Sequence, residues 1–123
     1  MKIYESAEDY LERILMLQKQ NGRVISLDIA ISMNYSKASV SRAIKNLKEN
    51  NYISVNSTGE IELTESGLKI AERMYSRHIL LTNFFISLGI DPVVAKNDAC
   101  KVEHGLSDET FDAISKLIKE YKK

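Results

Sequence analysis

The sequence has little cysteine, little proline and no net charge. Its 123 residues include one cysteine, one proline, and 17 basic against 17 acidic side chains. The lone cysteine, Cys100, cannot form an intramolecular disulfide, and an unpaired thiol is typical of a reducing compartment, so we expect a cytoplasmic protein. Zero net charge argues against a chain that coats nucleic acid by bulk attraction, although it permits local basic patches.

Long apolar runs are also absent. No stretch approaches the roughly 18 apolar residues that a membrane-spanning helix requires, and the first residues lack the apolar segment of a signal peptide. We therefore expect no membrane partner. Hydrophobic residues still make up 44% of the chain and charged residues 28%, which suits one folded domain, or a small domain plus an assembly element.

The first half of the chain has the pattern of a winged helix-turn-helix. Apolar residues at helical spacing predict a first helix, and Ser26 and Ser36 are suitable N-caps for two more. The apolar residues then recur at every second position, which predicts two short strands joined by a turn rich in Asn, Ser, Thr and Gly. These helices and strands are predicted over residues 6–21, 26–33, 36–50, 52–55 and 61–63. In such a motif the second helix of the helix-turn-helix enters the major groove of DNA.

The third helix has one apolar and one basic face. Residues 36–48 contain four cations and no acid, a local charge of +4 inside a neutral protein. Arg42 is the best candidate for reading a guanine edge, while the lysines are expected to hold phosphates. The alternative is that the basic face is only solvated. The third helix is the second helix of the helix-turn-helix, however, and this position favours binding to double-stranded DNA. The candidate DNA-binding residues are Ser36, Lys37, Ser39, Ser41, Arg42, Lys45 and Lys48.

The second half of the chain predicts three further helices. Thr64, Asp91 and Ser107 are N-cap candidates, and these helices are expected to end near residues 88, 104 and 122. Their apolar surface exceeds what one small domain uses, so a homodimer is expected to bury the remainder. The predicted fold class is mainly α. A winged helix-turn-helix DNA-binding domain over residues 1–64 is followed by an all-helical metal-binding and dimerisation domain over residues 65–123.

Six side chains are candidate ligands for a divalent transition metal. Cys100, Glu103 and His104 stand at i, i+3 and i+4, so a helix places them on one face. Mixed sulfur, nitrogen and oxygen donors suit iron, manganese and their neighbours rather than calcium or magnesium. The alternative is a small core cysteine beside solvated carboxylates, and only tertiary packing could bring all six groups together. The candidate ligands are Asp9, Glu12, His78, Cys100, Glu103 and His104.

Several motifs of the chain are distinctive. They are Ala7-Glu8-Asp9-Tyr10-Leu11-Glu12, Ser39-Val40-Ser41, Leu63-Thr64 with Gly67, Arg77-His78, and the stretch from Asn97 to His104 that continues into Leu106-Ser107. In these motifs the sequence resembles the diphtheria toxin repressor and manganese transport regulator family. The likeness covers nearly the whole chain, and the last two motifs are the most specific.

The resemblance implies an iron- or manganese-dependent repressor with the six candidate ligands at metal-binding positions. Cys100 resembles the iron-responsive branch, whereas Asp9 and Glu12 resemble the manganese branch, so the chain is a hybrid of the two. Thr82 and Lys96 stand where the iron branch has ligands of an ancillary site. The chain ends after the predicted dimerisation helices, which resembles the short form of the family without an SH3-like domain.

The sequence thus predicts a repressor rather than an enzyme. Its expected cofactor is Mn(II) or Fe(II), its expected DNA partner is a palindromic operator, and it is expected to control metal-homeostasis genes. A winged-helix regulator that is not gated by metal is the alternative. A metallohydrolase ranks lower, because the cluster lacks a spare general base and a saturated site leaves no open position for substrate.

Overall fold

A computed structural model describes residues 5–121, and it describes side chains over residues 6–120. Within this range the chain forms six α-helices and one antiparallel two-stranded sheet, in which Ile53 pairs with Leu63 and Val55 with Ile61. This architecture agrees with the predicted fold class. The elements are α1 (Glu5–Asn21), α2 (Ser26–Met33), α3 (Lys37–Glu49), β1 (Ile53–Val55), β2 (Ile61–Leu63), α4 (Glu65–Ser87), α5 (Pro92–Glu103) and α6 (Asp108–Tyr121).

The chain divides into two compact units, residues 1–73 and residues 74–123, and the division falls within α4. In the first unit, Leu11 and Ile14 of α1, Ile29 of α2 and Val40 of α3 are fully buried. Their packing joins α1 to the helix-turn-helix formed by α2 and α3. The amide of Ile61 donates to the carbonyl of Val24 at 2.8 Å, which ties the start of β2 to the segment before α2.

Most helix ends follow the predicted caps. The Ser36 hydroxyl accepts a hydrogen bond from the amide of Ser39 at 3.1 Å, and the Thr64 hydroxyl accepts from that of Gly67 at 3.2 Å. The prediction for α2 was wrong, because Ser26 is the first helical residue and not the cap. Its N-cap is Ile25, whose amide donates to the Asp28 carboxylate at 2.9 Å. An acid in the first turn therefore fixes the start of α2, and no serine caps it.

The described residues of the second unit form helices and the short connections between them. Asp91 caps α5 by accepting from the amides of Val93 and Val94, at 3.1 and 3.4 Å. Ser107 caps α6 by accepting from the amide of Thr110 at 3.1 Å. The core of this unit consists of small and flexible apolar side chains, namely Met74, Leu81, Ala95 and Ala99.

An apolar groove of about 960 Å³ lies between α4 and α6 of the second unit. Ile79, Phe84 and Leu88 line it from the α4 side, and Leu117 and Ile118 from α6. Leu88 is 62% exposed and Leu117 45% exposed, so this groove leaves large apolar surface uncovered. None of the described helices is long and apolar enough to cross a membrane.

Candidate metal centre and nucleic-acid interface

Three candidate metal ligands meet inside the second unit. His78 comes from α4, and Cys100 and Glu103 come from α5 one turn apart. The Nδ1 atom of His78 lies 3.1 Å from Oε2 of Glu103 and 3.6 Å from the Cys100 Sγ. The Glu103 side chain is fully buried and that of His78 is 5% exposed. Helix packing thus brings together a thiol, an imidazole and a carboxylate that are distant in sequence.

His104 approaches the same carboxylate from the other side. It follows the last residue of α5 as the C-cap, and its Nε2 atom lies 3.4 Å from Oε1 of Glu103. Its side chain is only 1% exposed. The two oxygens of Glu103 therefore each face an imidazole, His78 at one and His104 at the other.

The spacing of these donors fits a shared divalent ion. Donors bonded to one transition-metal ion at about 2.0–2.3 Å lie roughly 3–4 Å from one another. The separations of 3.1 and 3.6 Å around His78 fall in this range, and suitable atoms of His78, Cys100 and Glu103 all lie within 4.8 Å of one another. Sulfur and imidazole donors favour a transition metal over calcium or magnesium.

The other two candidate ligands belong to the first unit. Asp9 and Glu12 stand one turn apart on α1, where Glu12 is buried and Asp9 is half-buried. Tyr10 lies between them in the chain, and its ring packs against Tyr35 with centroids 6.0 Å apart. Burial, followed by the neighbouring Tyr35, raises the pKa of the Tyr10 hydroxyl above its usual value. This end of α1 is thus packed against the turn that precedes α3.

Sequence reasoning did not assign a role to Arg77, which is buried next to His78. Its guanidinium donates to the backbone carbonyls of Glu103 and Leu106, at 3.0 and 2.8 Å. The only sequence signal was its place in the Arg77-His78 motif. These two acceptors are backbone atoms more than 25 residues away, which no side-chain pattern reveals.

The candidate DNA-binding residues lie on the exposed side of α3. Val40, Ile44 and Leu47 are buried on its other side, whereas every predicted contact residue is exposed except the half-buried Ser39. The Ser36 hydroxyl donates to that of Ser39 at 2.9 Å, and the Arg42 guanidinium donates to the Ser39 hydroxyl at 3.4 Å. Ser36 also caps the helix, so its hydroxyl has a structural function as well as a predicted contact.

The hairpin behind α3 is closed by a hydrogen-bonded turn. Oδ1 of Asn56 accepts from the amides of Thr58 and Glu60, at 3.0 and 2.9 Å. The segment over residues 52–64 contains no lysine or arginine, and its Glu60 pairs with the exposed Arg23 at 3.5 Å. The positive charge of this motif is therefore concentrated on α3.

Family models match both halves of the chain. The model for the N-terminal DNA-binding domain of iron-dependent repressors matches residues 2–60, and the model for their metal-binding and dimerisation domain matches residues 64–123. The chain belongs to the iron-dependent repressor family. A helix-turn-helix transcriptional regulator of Methanocaldococcus jannaschii is 33% identical over 120 residues, which span 96% of each protein.

Solved structures of this family are similar to the chain. The manganese regulator SloR has a TM-score of 0.81 at 25% identity, and IdeR of T. acidophilum has 0.80 at 26%, each over 97% of this chain and 55% of the other. A manganese-dependent transcriptional repressor in complex with manganese has a TM-score of 0.84 at 29% identity, over 92% of this chain and 52% of its own. The chain thus spans about half the length of these structures.

Membership of this family confirms the predicted resemblance and the winged helix-turn-helix followed by a helical domain. It also supports metal-dependent transcriptional repression, with DNA and a second copy as partners and a divalent metal as cofactor. The similar proteins are described as regulators, among them a helix-turn-helix transcriptional regulator and a manganese-dependent transcriptional repressor.

Proposed function

We propose that this protein is a Mn(II)- or Fe(II)-dependent repressor that binds a palindromic operator as a homodimer and controls metal-homeostasis genes. The observation that supports this most strongly is the buried cluster of His78, Cys100 and Glu103. Buried titratable side chains are costly unless they are paired or bind a metal. Their donor spacing in the metal-binding half of the chain favours a metal.

The proposed ligand set is completed by His104 and by Asp9 and Glu12 of α1. His78, Cys100, Glu103 and His104 belong to the second unit, whereas the two carboxylates of α1 belong to the first. A bound divalent ion supplies the positive charge that holds such a set of anionic and imidazole donors together. Metal would raise the DNA affinity of the protein because the ion would bind the DNA-competent arrangement better than the other arrangements.

The choice between manganese and iron depends on Cys100. A thiolate favours iron and other softer ions, while the three carboxylates of the proposed set favour manganese. Solved relatives that are described as manganese regulators support manganese, and the family model names iron. We therefore propose that both ions activate the protein and that their availability in the cell decides which one does so.

The proposed DNA contacts divide between recognition and positioning. Arg42 would read a guanine edge through two hydrogen bonds, and Lys37, Lys45 and Lys48 would bind phosphates. Ser39 and Ser41 would donate hydroxyl hydrogen bonds to the backbone of the operator, and Ser36 would contact the same backbone after giving up its hydrogen bond to Ser39. A homodimer carries two such helices, so a palindromic site with half-sites about one helical turn apart is expected.

The apolar groove between α4 and α6 is the proposed dimer surface. It lies in the half of the chain that matches the dimerisation domain of the family. Its exposed leucines would be covered by the same surface of the second copy, as in an isologous interface.

An anaerobic metal titration tests the proposal. A library of palindromic DNA duplexes would first be selected with protein in the presence of Mn(II) or Fe(II), and affinity for the selected duplex would then be measured against metal concentration. We expect the affinity to rise at least tenfold on saturation. By linkage, DNA must raise metal affinity by the same factor.

His104→Ala provides the matched variant. Its circular dichroism should equal that of the wild type, while the metal-dependent gain in DNA affinity should be lost. Equal DNA affinity with and without metal in the wild type would instead favour a winged-helix regulator that metal does not gate. An unchanged metal response in His104→Ala would contradict the proposed ligand set.

A further inference from the structure

Arg77 has an unusual environment for a positively charged side chain. It is 3% exposed, and its partners all lie around the connection between α5 and α6. Nη1 donates to the carbonyls of Glu103 and Leu106, and Nη2 donates to the carboxylate of Asp108. The guanidinium also lies over the ring of Phe111, 4.9 Å from its centroid.

These contacts fasten three consecutive pieces of chain to α4. Glu103 is the last residue of α5, Leu106 lies in the turn, and Asp108 and Phe111 belong to the start of α6. The last carbonyls of a helix have no partner within the helix, and a cation there is favoured by the helix dipole. Arg77 therefore caps α5 from a neighbouring helix and joins it to α6.

The chain segment that Arg77 binds also contains two of the candidate metal ligands, Glu103 and His104. Arg77 is adjacent to His78 in α4, but it is not a candidate metal ligand, because its guanidinium donates to two backbone carbonyls and to the Asp108 carboxylate. It binds the carbonyl of Glu103, whose side chain lies 3.1 Å from His78 and 3.4 Å from His104. Fixing that carbonyl fixes the Cα atom from which the Glu103 carboxylate extends, and His104 is the next residue along the chain.

We propose that Arg77 is the positioning residue of the metal centre, holding Glu103 and His104 in place through the backbone of the α5–α6 connection. This inference rests on the metal site proposed above. Groups that orient metal ligands without binding the ion commonly change metal affinity about 10- to 100-fold when they are replaced. Lysine cannot substitute, because one ammonium group lacks the planar fork that reaches several acceptors at once.

The test is an anaerobic Co(II) titration of the full chain, followed by visible absorption. Bound Co(II) reports the thiolate of Cys100 through its charge-transfer band and the coordination geometry through its d–d bands. Arg77→Lys is expected to retain the helical circular dichroism of the wild type and to bind Co(II) at least tenfold more weakly. At saturation its d–d bands should differ from those of the wild type, which a loss of stability alone would not cause.

Matched variants separate this role from general effects of charge and folding. Arg73→Lys changes an exposed arginine one turn earlier in α4 and should leave affinity and bands unchanged. If Arg77→Lys does not fold, Asp108→Asn replaces it, because the Asp108 side chain is 75% exposed. It should weaken Co(II) binding about threefold, while Asp112→Asn, an exposed acid in the same helix, should not.

Each outcome decides the question. Wild-type Co(II) affinity and bands in Arg77→Lys would overturn the inference while leaving the metal site intact, as would equal affinities for Asp108→Asn and Asp112→Asn. Failure of the wild type to bind Co(II) would overturn the proposed metal site and, with it, the role of Arg77. Weaker Co(II) binding by Arg77→Lys, together with wild-type Co(II) binding by Arg73→Lys, would support the positioning role of Arg77.

Discussion

At the scale of single residues, Glu103 connects the metal cluster to the backbone of the α5–α6 connection. Its two carboxylate oxygens face His78 and His104, and its backbone carbonyl accepts a hydrogen bond from Arg77. The side chain and the main chain of one residue thus have separate partners on α4. A substitution at Glu103 that keeps the backbone in place, such as glutamine, would therefore affect metal binding more than folding.

Glycine is needed at position 67 because the backbone of Tyr52 lies very close to it, and not because its φ angle is positive. A Cβ atom at this position would overlap the carbonyl oxygen of Tyr52, which accepts a hydrogen bond from the amide of Thr64 at 3.0 Å. Gly67→Ala is expected to lower the free energy of unfolding by about 1–3 kcal/mol, because the overlap forces the hairpin away from α4. Urea unfolding measures this change.

Gly105→Ala is the control for that prediction. The nearest atom to a Cβ at Gly105 is the carbonyl oxygen of Val102, at an ordinary contact distance of 3.8 Å. Its unfolding midpoint should stay close to that of the wild type. Equal midpoints for the two alanine variants would show that the approach at Gly67 is not sterically limiting.

At the scale of elements, α3 joins folding and recognition in one helix. Val40, Ile44 and Leu47 bury one face, and the basic residues occupy the other. Ser36 begins the helix and also donates to Ser39, whose hydroxyl accepts from Arg42. The start of the helix therefore helps to orient the arginine that is proposed to read the operator.

Arg42→Ala and Lys45→Ala should affect DNA binding differently. Loss of a bidentate arginine contact typically costs about 1–3 kcal/mol at one base pair, so Arg42→Ala should reduce the preference for the operator over scrambled DNA by roughly tenfold. Lys45→Ala should weaken binding to both duplexes about equally, and it should reduce the slope of log affinity against log salt by about 1.

Fluorescence anisotropy at several salt concentrations, with metal-loaded protein, distinguishes these two effects. Both variants should keep the helical circular dichroism of the wild type, since both side chains are exposed. An equal loss of specificity in the two variants would contradict the proposal that Arg42 reads a base pair while Lys45 binds a phosphate. Equal affinity of the wild-type protein for operator and scrambled DNA would contradict the proposal that it recognises a specific DNA sequence.

At the scale of the whole molecule, the zero net charge is the sum of opposed regions. Residues 36–48 carry +4, whereas residues 91–111 contain five acids and two lysines, a net charge of −3. The basic region is proposed to face DNA, and part of the acidic region to hold a cation. A neutral protein gains little from bulk attraction to DNA, so tight binding depends on the dimer presenting two copies of α3 together.

Leu117→Glu tests where the two copies meet. The change places a charge in the apolar groove between α4 and α6, where its desolvation would oppose association. We expect a monomer by sedimentation velocity at concentrations that keep the wild type dimeric. Affinity for the operator should fall about 100-fold or more, because the two recognition helices are no longer linked.

Ile31→Glu is the matched control for the oligomeric state. Ile31 is 72% exposed on α2 and belongs to the other unit. This variant should remain a dimer, since it adds the same charge at an apolar position outside the groove. A dimer in both variants would place the interface elsewhere on the chain.

The sequence alone determined the order of the elements and most of their ends, because periodicity and capping depend on residues a few positions apart. Ser36, Thr64, Asp91 and Ser107 each cap the helix that local chemistry assigned to them. The error at Ser26 arose from the same local chemistry, since the Asp28 carboxylate accepts from the amide of Ile25 and the helix begins at Ser26 without a side-chain cap from serine. Helical spacing likewise predicted that Cys100 and Glu103 share a face of α5.

Only the tertiary structure decided which distant residues join that face. His78 meets Cys100 and Glu103 because α4 packs against α5, and His78 and Cys100 are 22 positions apart, with no periodic signal in the sequence that predicts their contact. Arg77 was beyond sequence reasoning for a stronger reason. Its role depends on backbone carbonyls, which every residue possesses, so only their position in space distinguishes the ones that it binds.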